Sequence, residues 1–162
     1  MKVQLYNREN VYSYAKKWAL KRNPKYYNFD SFGGDCTNFV SQCVYAGSGI
    51  MNFTKDFGWY YRSLSDRAPA FTGVEYFYNF ITQKKERVGP FGSLTQKENL
   101  KVGDIIQLGR GNGDFFHTLV VTENSNGNIY VSSHTRDFFN VPLEVYNFAL
   151  ARFISIDGVY KP

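Results

Sequence analysis

The sequence predicts an α+β fold, with helices in the first half and an antiparallel β-sheet in the second. Three segments of the first half carry apolar residues at helical spacing, which indicates amphipathic helices with one buried face. The second half instead has short apolar runs separated by turn signals, which is typical of antiparallel strands. A chain of 162 residues has room for one hydrophobic core, so residues 1–162 are predicted to form one domain.

Composition and charge narrow the classes of partner. Aromatic residues make up 19% of the chain, charged residues 20%, and the net charge is +5, which favours anionic partners. The basic residues are scattered, as on solvated helix faces, so no nucleic-acid partner is expected. No segment is apolar and long enough to span a membrane, and the first ten residues lack the layout of a secretory signal. We expect a monomer without a cofactor or metal ion.

The first predicted helix begins after Asn7, a residue type that caps helices, and is stopped by Asn23-Pro24. Its apolar positions recur at helical spacing, with lysines on the outer side. An aromatic loop over residues 25–34 then leads to the second helix. Tyr27 in this loop is a candidate substrate contact, and packing against the core is the alternative.

The second predicted helix carries the most informative residue, Cys36. Gly33 and Gly34 interrupt the chain, and apolar residues then recur at helical spacing from Cys36 to Val44. The unpaired N–H groups and positive dipole end of a helix stabilise a thiolate, so a cysteine in the first turn is expected to have a lowered pKa. We therefore predict that Cys36 is a nucleophile. The alternative is a small buried side chain packed in the core.

Nearby residues have simpler interpretations. Seven residues of helix separate Cys36 from Cys43 by about 10 Å, which is too far for a disulfide, so Cys43 is predicted to be a core residue. The helix is expected to end near Ala46-Gly47, where a glycine can adopt the left-handed conformation. Asp35 is interpreted as the helix cap, with steering of a substrate amine as the alternative.

Residues 49–71 have no clear periodicity. A long irregular segment in a compact domain is often a functional loop or a lid. Its Trp59 and Tyr60 are candidate substrate contacts that could stack on a sugar or peptide, and the alternative is that they cover the core. A third helix is predicted to start at Thr72 and Glu75, which have the spacing of a capping box.

Four strands are predicted in the second half, at residues 102–108, 115–122, 129–135 and 149–156. Asn126-Gly127 is a strong hairpin signal that joins the second of these strands to the third. Both histidines of the chain, His117 and His134, lie on this hairpin. Two registers of the hairpin are considered, and each places the two rings on one face because side chains alternate with period two. A single-residue bulge would undo this arrangement and place Ser133 or Asp137, instead of His134, near His117.

A cysteine at a helix start and histidines on later strands are the residue types of a thiol acyl-transfer site. We predict that Cys36 attacks, that His117 acts as the base and that His134 orients the His117 ring. The backbone N–H of Cys36 supplies one oxyanion donor, and the second donor is unassigned. A zinc site formed by Cys36, His117 and His134 is a weaker alternative, since no short Cys/His ligand pair supports it.

Several sequence motifs carry a resemblance to a known family. In chain order they are Tyr6-Asn7-Arg8, Tyr14-Ala15-x-x-Trp18-Ala19-x-x-Arg22-Asn23-Pro24, Gly33-Gly34-Asp35-Cys36-Thr37-Asn38-Phe39-Val40-Ser41-Gln42-Cys43, Gly58-Trp59-Tyr60-Tyr61, Gly103-Asp104-Ile105-Ile106, His117 and Ser133-His134-Thr135-x-Asp137. Together they cover nearly the whole chain. They resemble the putative amidase domain family, which belongs with the NlpC-type, papain-like cysteine hydrolases of bacterial cell walls.

The resemblance implies a papain-like fold, in which the nucleophile helix packs on an antiparallel sheet that carries the histidine. It also implies hydrolysis of amide bonds in peptidoglycan or its stem peptides, and hence a cell-envelope or extracellular location. In the superfamily an Asp-Cys pair, a strand histidine and a third polar residue carry the chemistry, which matches Asp35-Cys36, His117 and His134. Unlike papain, the chain has no glutamine shortly before Cys36. The alternatives are a non-catalytic cell-wall binding module and an acyl transferase of the transglutaminase type.

Overall fold

A seven-stranded antiparallel sheet dominates the structure, a computed structural model that describes all 162 residues. Its strands are β1 (Lys2–Gln4), β4 (Gly89–Thr95), β5 (Ile105–Gly109), β6 (Phe115–Ser125), β7 (Asn128–Ser133), β8 (Phe138–Pro142) and β9 (Leu150–Lys161). The order across the sheet is β1-β9-β5-β6-β7-β8, and β4 pairs with the long β9 along its other edge. A separate small hairpin is formed by β2 (Tyr61–Ser63) and β3 (Asp66–Arg67).

Four α-helices precede most of the sheet in the chain. They are α1 (Arg8–Trp18), α2 (Cys36–Ser48), α3 (Pro69–Thr72) and α4 (Val74–Thr82). The α+β class, with helices before an antiparallel sheet, is therefore confirmed. None of these helices has both the length and the apolar character needed to cross a membrane.

Apolar side chains cover both faces of the sheet, because neighbouring residues of a strand point to opposite sides. Helix α2 packs against one face, where Val40 and Val44 join Val120 of β6 in the larger core cluster. The opposite face is covered by a smaller cluster that includes Leu108 and Leu119. Almost every residue of α2 is buried, since the helix lies between α1 and β6.

Two helix ends differ from the prediction, while one helix start agrees with it. Helix α1 ends at Trp18, before the predicted stop at Asn23-Pro24. Asn7 caps α1 as predicted, with its side chain accepting a hydrogen bond from the backbone of Asn10 at 3.0 Å. Helix α2 continues past Gly47 and ends at Ser48, and Gly49 adopts the left-handed conformation with φ +66°. Gly47 is needed for packing instead, since a Cβ there would lie 2.6 Å from the side chain of Tyr6.

The predicted capping box of the third helix is wrong. Thr72 is the last residue of α3, and its hydroxyl accepts a hydrogen bond from Arg67 Nε at 3.1 Å. Glu75 instead forms an ion pair with Arg152 at 2.7 Å. Gly73 has an extended conformation and separates α3 from α4. Residues 49–71, which showed no periodicity in the sequence, contain β2, β3 and most of α3.

The hairpin of β6 and β7 forms around the predicted turn but in a register that shifts. Asn126 and Gly127 both have positive φ angles, +54° and +88°, as a two-residue hairpin turn requires. Near the turn Glu123 pairs with Tyr130, but the register slips by one residue before Val121 pairs with Val131. This is the bulge that reverses which face the later residues occupy.

Candidate active site

Cys36 is the first residue of α2 and lines a cavity of about 290 Å³. Gly33 and Gly34 precede it with φ angles of +86° and +96°, a conformation that residues with side chains rarely adopt. The two glycines turn the chain into the helix and leave Cys36 only 6% exposed. The N–H groups of a first helical turn have no partner within the helix, so they can donate to an acceptor outside it.

His117 lies near the start of β6 and lines the same cavity as Cys36. The residue is 5% exposed, yet its buried Nε2 has no hydrogen-bond partner in the protein. Tyr146 packs beside the ring, with 5.3 Å between the ring centroids. Leaving a buried polar atom unpaired costs roughly 1–3 kcal/mol, so such an atom calls for an explanation such as a catalytic role. The structure thus brings together two of the three predicted catalytic residues.

The protonation states of this pair follow from burial. Burial lowers the pKa of His117 to about 4, and the positive charge of Arg136 acts in the same direction. Burial also raises the pKa of Cys36, against the opposing effect of hydrogen bonds from Thr118 and Thr37. The expected lowering of the Cys36 pKa by the helix terminus is therefore wrong, because burial outweighs it. At neutral pH the site holds a thiol and an uncharged imidazole.

His134 does not contact His117, and the prediction that the two rings share one face is wrong. The bulge in the hairpin moves His134 to the opposite face of the sheet, where its ring stacks on Phe39 at 4.0 Å between centroids. His134 Nδ1 lies 2.6 Å from Asp35 Oδ2, and its Nε2 lies 2.8 Å from the carbonyl oxygen of Trp18. Both ring nitrogens are thereby occupied, so His134 is not placed to orient the base.

The contacts of His134 define its charge. A backbone carbonyl and a carboxylate only accept hydrogen bonds, so the ring donates through both nitrogens and carries a positive charge. It forms an ion pair with Asp35 in which both side chains are 1% exposed. Arg22 lies nearby, with its Nε 3.6 Å from the same carboxylate oxygen.

Asp35 fulfils neither of its two predicted roles. Its side chain makes no helix-capping hydrogen bond, and at 1% exposure it cannot reach a substrate amine. Its Oδ1 instead accepts hydrogen bonds from the backbone of Phe29 at 2.9 Å and from Asn38 Nδ2 at 3.0 Å. Its backbone N–H donates to Thr135 Oγ1 at 3.2 Å. Asp35 therefore fixes the aromatic loop, the start of α2 and the turn after β7 to one another.

The three predicted aromatic substrate contacts lie outside the cavity. Trp59 is fully buried in the core, and its Nε1 donates to Ser41 Oγ at 3.0 Å. Tyr60 is 5% exposed and its hydroxyl donates to Asp66 at 3.2 Å. For both residues the prediction of a substrate contact is wrong, and core packing is the observed alternative. Tyr27 is 40% exposed, but it does not line the cavity beside Cys36.

The sequence did not point to four residues that line the cavity, namely Phe116, Arg136, Tyr146 and Asn147. Tyr146 and Phe116 flank the His117 ring, and Arg136 lines the cavity beside them. Ser133, one of the two residues that a bulge was expected to bring into play, holds the Tyr146 hydroxyl by a hydrogen bond. No sequence signal distinguishes these residues, because their convergence depends on the register of the hairpin and on the turn after β7.

Other roles considered for these residues are not supported by their positions. Asp137, the second residue expected from a bulge, forms an ion pair with Arg22 at 2.8 Å. The zinc ligands of the alternative interpretation do not converge, since His134 lies on the other face of the sheet. No group of three histidine, cysteine, aspartate or glutamate side chains is arranged to hold a metal ion.

The low pKa of His117 makes the fold sensitive to acid. An unfolded chain binds a proton at this residue near pH 6.5, whereas the folded chain does so only near pH 4. The contribution of His117 to the free energy of unfolding is therefore fully present above pH 6.5. It falls by about 3 kcal/mol as the pH drops to 4. We expect His117→Gln to remove this part of the pH dependence, as measured by urea unfolding at a series of pH values. Wild-type and variant curves that stay parallel through this range would contradict the buried, uncharged ring.

The ion pair of Asp35 and His134 is expected to be energetically coupled. Asp35→Asn and His134→Gln should each lower the free energy of unfolding by about 3–5 kcal/mol, because each leaves the other charge buried without its partner. The double variant should lose clearly less than the sum. The exposed pair Arg110 and Asp114, 3.2 Å apart, is the control and should show a coupling below about 1 kcal/mol. Additive effects at Asp35 and His134 would show that the pair does not form.

Comparison with known proteins places the chain in a family. Residues 5–156 match the sequence model of a family described as a putative amidase domain. The uncharacterized protein YhbB of Bacillus subtilis (strain 168) is 32% identical over 136 residues, which is 82% of this chain and 42% of YhbB. The uncharacterized protein YjcM of the same organism is 31% identical over 153 residues, 88% of this chain and 34% of YjcM.

These relatives are longer proteins, and the chain spans less than half the length of each. No solved structure shows significant similarity to the chain. The family model nevertheless covers nearly every residue, including the two that meet in the cavity. The chain belongs to the putative amidase domain family.

Proposed function

We propose that the chain is a cysteine-dependent amide hydrolase in which Cys36 is the nucleophile and His117 is the base. One observation carries the proposal: the cavity at the start of α2 is lined by a thiol and by an imidazole whose buried Nε2 has no partner. A thiol beside a neutral imidazole is one of the recurring nucleophile–base pairs of acyl-transfer enzymes. Membership of a family named for amidases agrees with this chemistry.

The proposed cycle starts from the uncharged pair. As Cys36 Sγ attacks the amide carbonyl, His117 accepts the thiol proton and then passes it to the leaving amine. The oxyanion accepts a hydrogen bond from the backbone N–H of Cys36, which belongs to the first turn of α2. The product of this half is a thioester with Cys36. A water molecule that gives its proton to His117 then releases the acid and restores the thiol.

The low basicity of His117 has a consequence for this cycle. An imidazole with a pKa of about 4 is unprotonated over most of the pH range, so the base is ready at neutral pH. The imidazolium formed by the proton transfer is unstable in the buried cavity, so the proton moves on readily to the leaving amine. No carboxylate contacts the His117 ring. Packing against Tyr146 fixes the plane of the ring instead.

The finer assignment rests on the resemblance of the sequence motifs. We assign the chain to the NlpC-type, papain-like hydrolases, and a helix that carries the cysteine and packs on an antiparallel sheet supports this assignment. Peptidoglycan or its stem peptides are the proposed substrate. The net charge of +5 suits the anionic polymers of a cell envelope.

Turnover of cell-wall fragments tests the proposal. Cys36→Ala should lower kcat by about 10⁴-fold or more, and His117→Ala by about 10²–10⁴-fold, in an assay that separates the released peptides and amino sugars. Cys43→Ala is the matched control, because Cys43 is a buried free thiol of the same helix. It should keep its activity.

The same assay separates the competing functions. An added amine that appears in the product would indicate acyl transfer, and binding to cell walls without any product would indicate a binding module. Full activity of Cys36→Ala would overturn the assignment of the nucleophile.

A further inference from the structure

Arg136 is a cation without a partner in the wall of the proposed active site. Its side chain is exposed and lines the same cavity as Cys36 and His117. The guanidinium donates no hydrogen bond and lies within reach of no carboxylate. Every other arginine of the chain donates at least one side-chain hydrogen bond, namely Arg8, Arg22, Arg62, Arg67, Arg87, Arg110 and Arg152.

Competing carboxylates near the cavity are already engaged. Asp137 follows Arg136 in the chain but pairs with Arg22 at 2.8 Å. Asp114 pairs with Arg110, which lies over the ring of Phe116 at the cavity. The protein therefore leaves Arg136 uncompensated in the cavity wall, whereas Arg110, which packs on a ring of that wall, is paired.

The turn that presents Arg136 is held in an unusual conformation. Thr135 and Arg136 have φ angles of +61° and +66°, and left-handed backbone costs residues with side chains of order 1 kcal/mol or more each. Thr135 Oγ1 accepts a hydrogen bond from the backbone of Asp35, and the carbonyl of Arg136 accepts one from Ser133 Oγ at 3.3 Å. The buried ion pair thus fixes the position of this turn.

Aromatic rings support the guanidinium itself. Its central carbon lies 5.1 Å from the ring centroid of Phe138 and 6.0 Å from that of Tyr146. A guanidinium at this distance from ring faces is held by cation–π attraction and keeps its N–H groups free. The planar fork of N–H groups matches a carboxylate, which it can bind through two parallel hydrogen bonds.

We propose that Arg136 binds a carboxylate of the substrate beside the scissile amide, so that the site selects amides that carry a free carboxylate. The inference builds on the proposed function, since it specifies the substrate class of the same cavity. The carboxylate is either the C-terminal α-carboxylate of a peptide or an acidic side chain. Both present the same planar, charged group to the arginine.

Binding of a carboxylate at Arg136 also affects the pKa of His117, the proposed base. The charge of Arg136 contributes to the low pKa of His117, and a bound carboxylate would cancel much of that charge. The pKa of His117 would then rise, and proton transfer from Cys36 would become more favourable once the correct substrate is in place.

Binding to an inactive variant tests the inference without any catalytic step. Four probes are titrated into Cys36→Ala protein and followed by NMR: Ala-Ala-Ala with a free C-terminus, the same peptide as its C-terminal amide, and the amidated peptides Ala-Glu-Ala and Ala-Gln-Ala. We expect one acid to bind about 10–100-fold more tightly than its neutral match. A gain of this size is what a hydrogen bond between charged groups contributes to affinity. The acid that shows the preference identifies the source of the carboxylate.

Variants of Arg136 in the same background complete the experiment. Arg136→Gln should abolish the preference for the acid and leave binding of the neutral peptide unchanged, while Arg136→Lys should restore part of it because it keeps the charge but loses the fork. Arg62→Gln is the control, since Arg62 is an exposed arginine that pairs with Asp66 away from the cavity. It should keep the full preference.

Two outcomes would overturn the inference. One is that neither acid is preferred over its neutral match, including the case in which no probe binds at millimolar concentration. The other is that the preference survives in Arg136→Gln. Either result leaves the hydrolase assignment standing, because that assignment is tested by turnover with the Cys36 thiol present.

Discussion

The buried ion pair of Asp35 and His134 is the constraint on which the rest of the site depends. Placing two charges out of contact with water carries a large desolvation cost, which only close pairing and further hydrogen bonds offset. Asp35 directly precedes Cys36, and His134 directly precedes Thr135 and Arg136. One interaction therefore fixes both the segment that carries the proposed nucleophile and the turn that carries the unpaired cation. The hydrogen bond from His134 to the Trp18 carbonyl also joins the end of α1 to this ion pair.

Much of the fold could be predicted from the sequence, because local periodicity and turn chemistry are local properties. The spacing of apolar residues placed Cys36 in the first turn of a helix, and Asn126-Gly127 marked the hairpin turn correctly. The edge strands β1, β4 and β8 were missed, since they are short or begin with residues that are typical of turns. Burial of Trp59 was also unpredictable, because it depends on how separate segments pack.

A one-residue slip explains the main error at the site. Side chains of a strand alternate between faces, so a bulge near Thr122 moves His134 across the sheet. Nothing in the local sequence marks this bulge. The error is informative, because His134, predicted to orient the base, forms its buried ion pair with Asp35 instead. Asp35 directly precedes the proposed nucleophile, and His134 does not contact the proposed base.

The central claim is that Cys36 and His117 exchange a proton. The rate of Cys36 alkylation by iodoacetamide between pH 3 and 10, in Cys43→Ala protein with and without His117→Ala, tests it most directly. The uncharged pair and the thiolate–imidazolium pair bind the same number of protons, so their ratio does not change with pH. The account predicts a pH-independent plateau from about pH 4 to the alkaline range, which His117→Ala removes. Identical profiles that rise only in the alkaline range would contradict it.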